Sequence, residues 1–258
     1  MYLFKRLKNT SKNNKGILGN IIGALLIKGG SLVLGLFTMP AYMEYFSDAN
    51  ILGVWFTILS VISWIMTFDL GIGNGLRNKL PTALINDNKL IVKQYISSAY
   101  LSVFFLGMII ALIFYIIDPF IDWNTILNID GKIVPQDVLS LSIRIVIMGI
   151  LVRFILGMIN SILYAIQKAA VNNLISLVSS FLIFSYVKLA PDLGEERNLL
   201  ALSIVHVLST NLPLLIISIV VFLSRLKYAK PNIKYFSIKK AKDILNIGFI
   251  LLWLQIVW

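Results

Sequence analysis

Residues 95–117 read YISSAYLSVFFLGMIIALIFYII, a run without a single charged side chain. A helix that crosses roughly 30 Å of hydrocarbon needs about 20 mostly apolar residues, and this run meets that length. Working outward, five further stretches do the same: 17–39, 51–68, 138–164, 171–190 and 199–223. A seventh opens near Ile244 and is still apolar at Trp258, the last residue given. The first apolar run follows a basic segment, as a signal peptide would. It is too long for a signal core and lacks a clear small-residue cleavage site, so it reads as a retained span.

Composition agrees. Hydrophobic residues make up 58% of the 258 residues, and the mean hydropathy is +0.86. Charged residues are 14%, against about 25% in soluble proteins, which excludes an ordinary globular enzyme. The net charge of +11 would point to nucleic acid on a folded surface, but the cations are bunched. Seventeen Lys and Arg fall in the N-terminal segment and in alternate loops, and three fall in the loops between them, beside nine acids. The positive-inside rule turns that partition into topology: six spans, N-terminus in the cytoplasm, no nucleic-acid partner. Zero cysteines exclude disulfides, thiolate zinc and iron–sulfur sites, and a lone histidine makes a His-based metal site improbable. No cofactor is expected.

The expected fold class is therefore an all-α integral membrane protein, a six-helix transmembrane bundle plus the start of a seventh helix. Residues 1–16 form a basic cytoplasmic tail, 17–223 the bundle, 224–243 a basic cytoplasmic linker, and 244–258 the opening of the seventh span. The outer loop near 118–137 has room for a short helix and for no catalytic module.

Three cations lie inside spans: Lys28, Arg144 and Arg153. A mid-bilayer Lys or Arg costs about 2.5–3.5 kcal/mol on insertion scales, so it normally faces a cavity or a partner. Helical periodicity puts Asn20, Ala24, Ser31, Gly35 and Thr38 on the face of Lys28, and Ser142, Gly149, Gly157 and Asn160 on that of Arg153. Arg144 lies near the outer end and can snorkel to the headgroups. Two readings of Lys28 and Arg153 stand open. One is an internal ion pair, for which no deep Asp or Glu offers a partner. The other is a hydrated cavity with positive walls for an anionic substrate, lined by Lys28, Arg153, Asn20 and Asn160. His206 is a candidate for proton coupling, since histidine titrates near neutral pH, or else a hydrogen-bonded structural residue. Trp55, Trp64, Tyr42, Tyr45 and Tyr95 fit an interfacial belt.

After the second span comes Phe68-Asp69-Leu70-Gly71-Ile72-Gly73-Asn74-Gly75-Leu76-Arg77-Asn78-Lys79-Leu80. It lacks the Lys-Ser/Thr and the preceding strand of a phosphate-binding loop. Physically, its glycines allow a tight turn, Arg77 and Lys79 face the inner headgroups, and Asp69 pairs with one of them or caps a helix. The stretch also resembles a signature of Wzx-type polysaccharide flippases, the O-antigen and capsule branch of the MATE-like superfamily. In that family Asp-Leu-Gly-x-Gly-Asn-Gly-Leu-Arg-Asn-Lys closes the second helix, and Tyr-Ile-Ser-x-Ala-Tyr opens the third, here Tyr95 to Tyr100. Pro40 and Gly53-x-Trp55 are similar too. The resemblance implies two six-helix lobes that rock to give alternating access. It implies a non-enzymatic transporter in the bacterial cytoplasmic membrane. The implied partners are a polyprenyl-pyrophosphate-linked oligosaccharide, membrane lipids and other polysaccharide-assembly proteins. In length the chain departs from that pattern, matching one lobe and the start of the next. The competing readings are a drug or metabolite antiporter of the same fold, disfavoured by the lack of a mid-membrane acid, and a membrane-embedded polymerase or acyltransferase.

Overall fold

The computed structural model describes the backbone of residues 2–67 and 71–257, and the side chains of 22–66, 71–194, 196–250 and 253. Within these limits the chain is all α, without a strand. Nine α-helices follow in order: α1 (Tyr2–Tyr45), α2 (Ala49–Thr67), α3 (Ile72–Ile85), α4 (Lys89–Ile117), α5 (Trp123–Leu127), α6 (Gln136–Ala165), α7 (Ala169–Leu189), α8 (Glu195–Leu223) and α9 (Ile238–Val257). Six stretches among the described residues are long and apolar enough to cross a membrane, within α1, α2, α6, α7 and α8 and over Lys89–Phe120. They coincide with the six spans expected. Helices are the natural outcome, since a lipid-exposed backbone must satisfy its own polar groups. Large apolar side chains such as Leu36, Ile109, Val220 and Phe249 lie exposed along the outer faces, where lipid rather than water is the matching solvent.

Helices α6 and α8 form the centre, packed along each other, with α7 against α8 and α1 laid along α7. The seam of α1 and α7 uses the small polar stripe noted in the sequence. Asn173 Nδ2 donates to the Ala24 carbonyl at 3.0 Å, and the Ser31 and Ser180 hydroxyls lie 3.5 Å apart. Without a hydrophobic drive between helices in lipid, small residues and interhelical hydrogen bonds do this work. The Ala24 and Ser31 positions of the stripe thus face α7, while a Cβ on Gly35 would meet nothing within 4 Å.

The glycine motif is helical where a loop was expected. Gly71 has φ +68 and marks the start of α3, while Gly73, Asn74, Gly75, Arg77, Asn78 and Lys79 belong to α3 itself. Helix α9 crosses this segment at close range. A Cβ on Gly75 would stand 2.1 Å from the Ile244 carbonyl oxygen, and one on Gly71 would stand 2.5 Å from the Gly248 backbone. The motif is a docking groove for α9, and the Asp69 position falls outside the described residues. Helix α9 also begins at Ile238, ahead of Ile244. The segment before it is tied to α4: Ser97 Oγ accepts from Asn232 N, and Ser98 Oγ both accepts from Ser237 N and donates to its carbonyl.

Two surface expectations are corrected. Trp55, Tyr42 and Tyr95 are buried rather than interfacial: Tyr42 packs edge-on against Trp55 and Phe56 where α1 meets α2, and the Lys240 ammonium lies 4.7 Å from the centroid of the Tyr95 ring. Arg144 does not snorkel free. Its Nε donates to Asp118 Oδ2 at 2.6 Å, and Trp123 Nε1 donates to Asp118 Oδ1 at 3.0 Å. Asp118 is 6% exposed and Arg144 49%, so the pair is worth less than a fully buried one. Arg144→Ala, which strands the carboxylate, is expected to cost about 1–3 kcal/mol, read as lost stability in a detergent unfolding titration. The adjoining outer loop holds α5, whose N-terminus is capped by Asp122. Hydrogen bonds from the Thr125 hydroxyl and backbone N–H hold that carboxyl below its usual range.

Candidate functional site

On α6, Arg153, Gly157, Asn160 and Tyr164 recur at steps of four, three and four, so they form one stripe. That stripe faces two adjoining cavities. The first, of about 400 Å³, lies between α2, α6, α7 and α8, and is lined by Arg153 and Asn160, by Asn172, Ser176, Ser179 and Ser180 of α7, and by His206 and Thr210 of α8. The second, of about 240 Å³, is lined by Arg153 and Asn160 again, with Ser161 and Tyr164 below them and with Asn74 and Arg77 of α3. The two share Met66, Arg153, Asn160 and Leu214, so they are successive parts of one passage.

Its electrostatics are one-sided. No carboxylate lines either cavity, and the ion pairs among the described residues involve Arg144, Lys188 and Lys240, not Arg153 or Arg77. Two polar atoms on the passage, Asn160 Oδ1 and His206 Nδ1, are buried without a hydrogen-bond partner. The His206 ring stands edge-on to Trp55 at 5.6 Å between centroids.

The α8 wall is held in shape despite Pro213, which cannot donate to the preceding turn. Thr210 Oγ1 donates to the His206 carbonyl at 2.8 Å. Asn211 Nδ2 donates to the Val207 carbonyl at 2.9 Å and across to the Gly149 carbonyl at 3.2 Å. That last bond is possible because α8 sits directly on Gly149, where a Cβ would meet the Val207 side chain at 2.3 Å.

Of the residues singled out by sequence, the structure brings Arg153, Asn160 and His206 together, with Asn74 and Arg77 at one end. Lys28 is exposed on α1 and is not among the residues lining these cavities. The Asn20 side chain and Asp69 lie outside the described residues. Lys79 and Asn78 stay on α3 away from these walls, Asn78 Nδ2 donating to the Asn74 carbonyl at 2.8 Å. The α7 residues and Tyr164 were missed. Their signal was present: 172, 176, 179 and 180 mark one helical face, and Tyr164 extends the Arg153 stripe by one step.

No family model and no curated protein matches the sequence. Solved structures do. One is a MOP superfamily transporter from Pyrococcus furiosus, reported with a binding pocket of reverse polarity that suggests a different function. It superposes with a TM-score of 0.68 at 17% identity over 92% of this chain and 52% of its own. The chain shares its fold with this transporter. A second likeness, to a multidrug resistance MATE family transporter of that superfamily in an inward-facing conformation, has a TM-score of 0.63 at 19% identity, over 90% of this chain and 50% of the other. The chain therefore spans about half the length of these MOP structures. At such identities the likeness concerns the fold, and the chemistry of the passage has to be argued from this chain's own residues.

Proposed function

We propose that this chain forms one wall of a flippase-type transporter, of the Wzx kind, which passes a polyprenyl-pyrophosphate-linked oligosaccharide across a bacterial cytoplasmic membrane. The observation that carries the proposal is Arg153 in a polar, carboxylate-free passage. A guanidinium offers bidentate donors matched to phosphate oxygens. The surrounding Asn, Ser and Thr side chains suit the hydroxyls of a sugar. The two solved structures named above are transporters, and the motif around Gly71 to Lys79 supports the polysaccharide branch. The charge partition supports a cytoplasmic N-terminus. An exporter of organic cations would call for acidic groups in the same place, and the described cavity walls hold none.

The test is binding to the full chain in lipid nanodiscs. Farnesyl pyrophosphate is expected to bind at least tenfold more tightly than the organic cation ethidium. The reverse preference would overturn the proposal.

A further inference from the structure

Arg77, at the α3 end of the passage, is held in a way that has no evident structural purpose. Its guanidinium carbon lies 4.0 Å from the centroid of the Tyr164 ring. It makes no ion pair with a described carboxylate. Stacking on an aromatic face occupies the flat side of a guanidinium and leaves the in-plane N–H edge open. That edge is the part that grips a phosphate. The ring itself is fixed from the other side, since Asn172 Nδ2 donates to the Tyr164 hydroxyl at 2.8 Å, and Asn172 lines the larger cavity. One tyrosine thus orients the cation at the mouth and touches the wall of the chamber.

We infer that Arg77, stacked on Tyr164 and flanked by Asn74, is a separate vestibule site for a phosphate or pyrophosphate group, which precedes the Arg153 chamber. The inference rests on the anion reading of the passage. It adds a second station and names its ligand chemistry. Tyr164 and Arg153 are eleven residues apart on α6, about 16 Å along the axis. The Tyr164 ring that carries Arg77 is thus offset along the helix from Arg153, and a headgroup entering at Arg77 would pass on toward Arg153. In this scheme Tyr164 is a positioning residue and Arg77 a binding residue. Asn160 lies on the wall common to both stations.

The chain has six arginines, few enough for side-chain 15Nε NMR of the full chain in micelles, each signal assigned by substitution. Titration with inorganic pyrophosphate is expected to shift the Arg77 and Arg153 signals with different saturation points. Tyr164→Leu should weaken the Arg77 response about two- to fivefold, the scale of a cation–π contact, and leave Arg153 unchanged. Tyr164→Phe, which keeps the ring, should preserve both. A parallel titration with farnesyl pyrophosphate separates the sources. An equal response assigns a free phosphate anion, and a tighter one assigns a lipid headgroup; either supports the site. If Arg153 responds and Arg77 stays silent, the vestibule is overturned and the chamber stands. If Arg153 is silent as well, the anion reading falls with it.

Discussion

Arg153→Gln is expected to lower the affinity for farnesyl pyrophosphate by about ten- to a hundredfold. A hydrogen bond to a charged group contributes about 1.5–3 kcal/mol, and each 1.4 kcal/mol is a factor of ten. Arg153 faces both cavities with no carboxylate beside it, and Arg77 lines only the smaller one, so no other lysine or arginine in the wall of the larger cavity replaces its charge. Stability should move the other way. An unpaired cation within a span is a cost to the fold, and glutamine removes it, so the variant should unfold at the same temperature or higher. Calorimetric titration in nanodiscs together with a thermal scan separates the two effects. Arg153→Lys, which keeps charge and loses the planar fork, should fall between wild type and glutamine. Unchanged affinity in Arg153→Gln would remove Arg153 from the site.

Gly71→Ala is expected to unseat α9. Two penalties coincide there. A non-glycine residue at φ +68 costs about 1–3 kcal/mol, and its methyl would meet the Gly248 backbone at 2.5 Å, an overpacking of about 1–3 kcal/mol. Backbone cannot rotate aside as a side chain can, so α9 has to move. The chain has no cysteine, and Ala241 of α9 is buried, so a single Ala241→Cys reports directly on the contact. Maleimide labelling should be slow in the parent and at least tenfold faster with Gly71→Ala. Gly107→Ala and Gly35→Ala are the controls. A Cβ at either meets nothing within 4 Å, so labelling should not change. Equal labelling in all three would mean that the glycine contact does not hold α9.

These residues also mark what a sequence can and cannot disclose. The six spans were legible because each is a local property of about twenty residues. The Arg153–Asn160 stripe was legible because helical spacing puts both on one face. The role of Gly71 and Gly75 was not, since their partners Ile244 and Gly248 are far along the chain and a glycine says that something comes close without saying what. Lys28 shows a related limit. Periodicity identified its small polar face, but whether such a face meets a channel or another helix is set by its neighbours, and at Ala24 and Ser31 that neighbour is α7. Asp118 sits at a span end, where it reads as an outer-loop acid. The fold of α5 beneath it turns it inward to Arg144.

The fixed charge of the passage has an electrical consequence. Arginine does not release its proton in proteins, and no carboxylate in the cavity walls offers a site for a compensating one. Apart from the His206 imidazole on the wall of the larger cavity, a wall of this kind has no acid with which to neutralise an anion. If the cargo is the pyrophosphate-linked headgroup proposed above, each negative charge it carries through the membrane field is worth about 2.3 kcal/mol for every 100 mV, and with the cell interior negative its outward passage would run downhill in voltage.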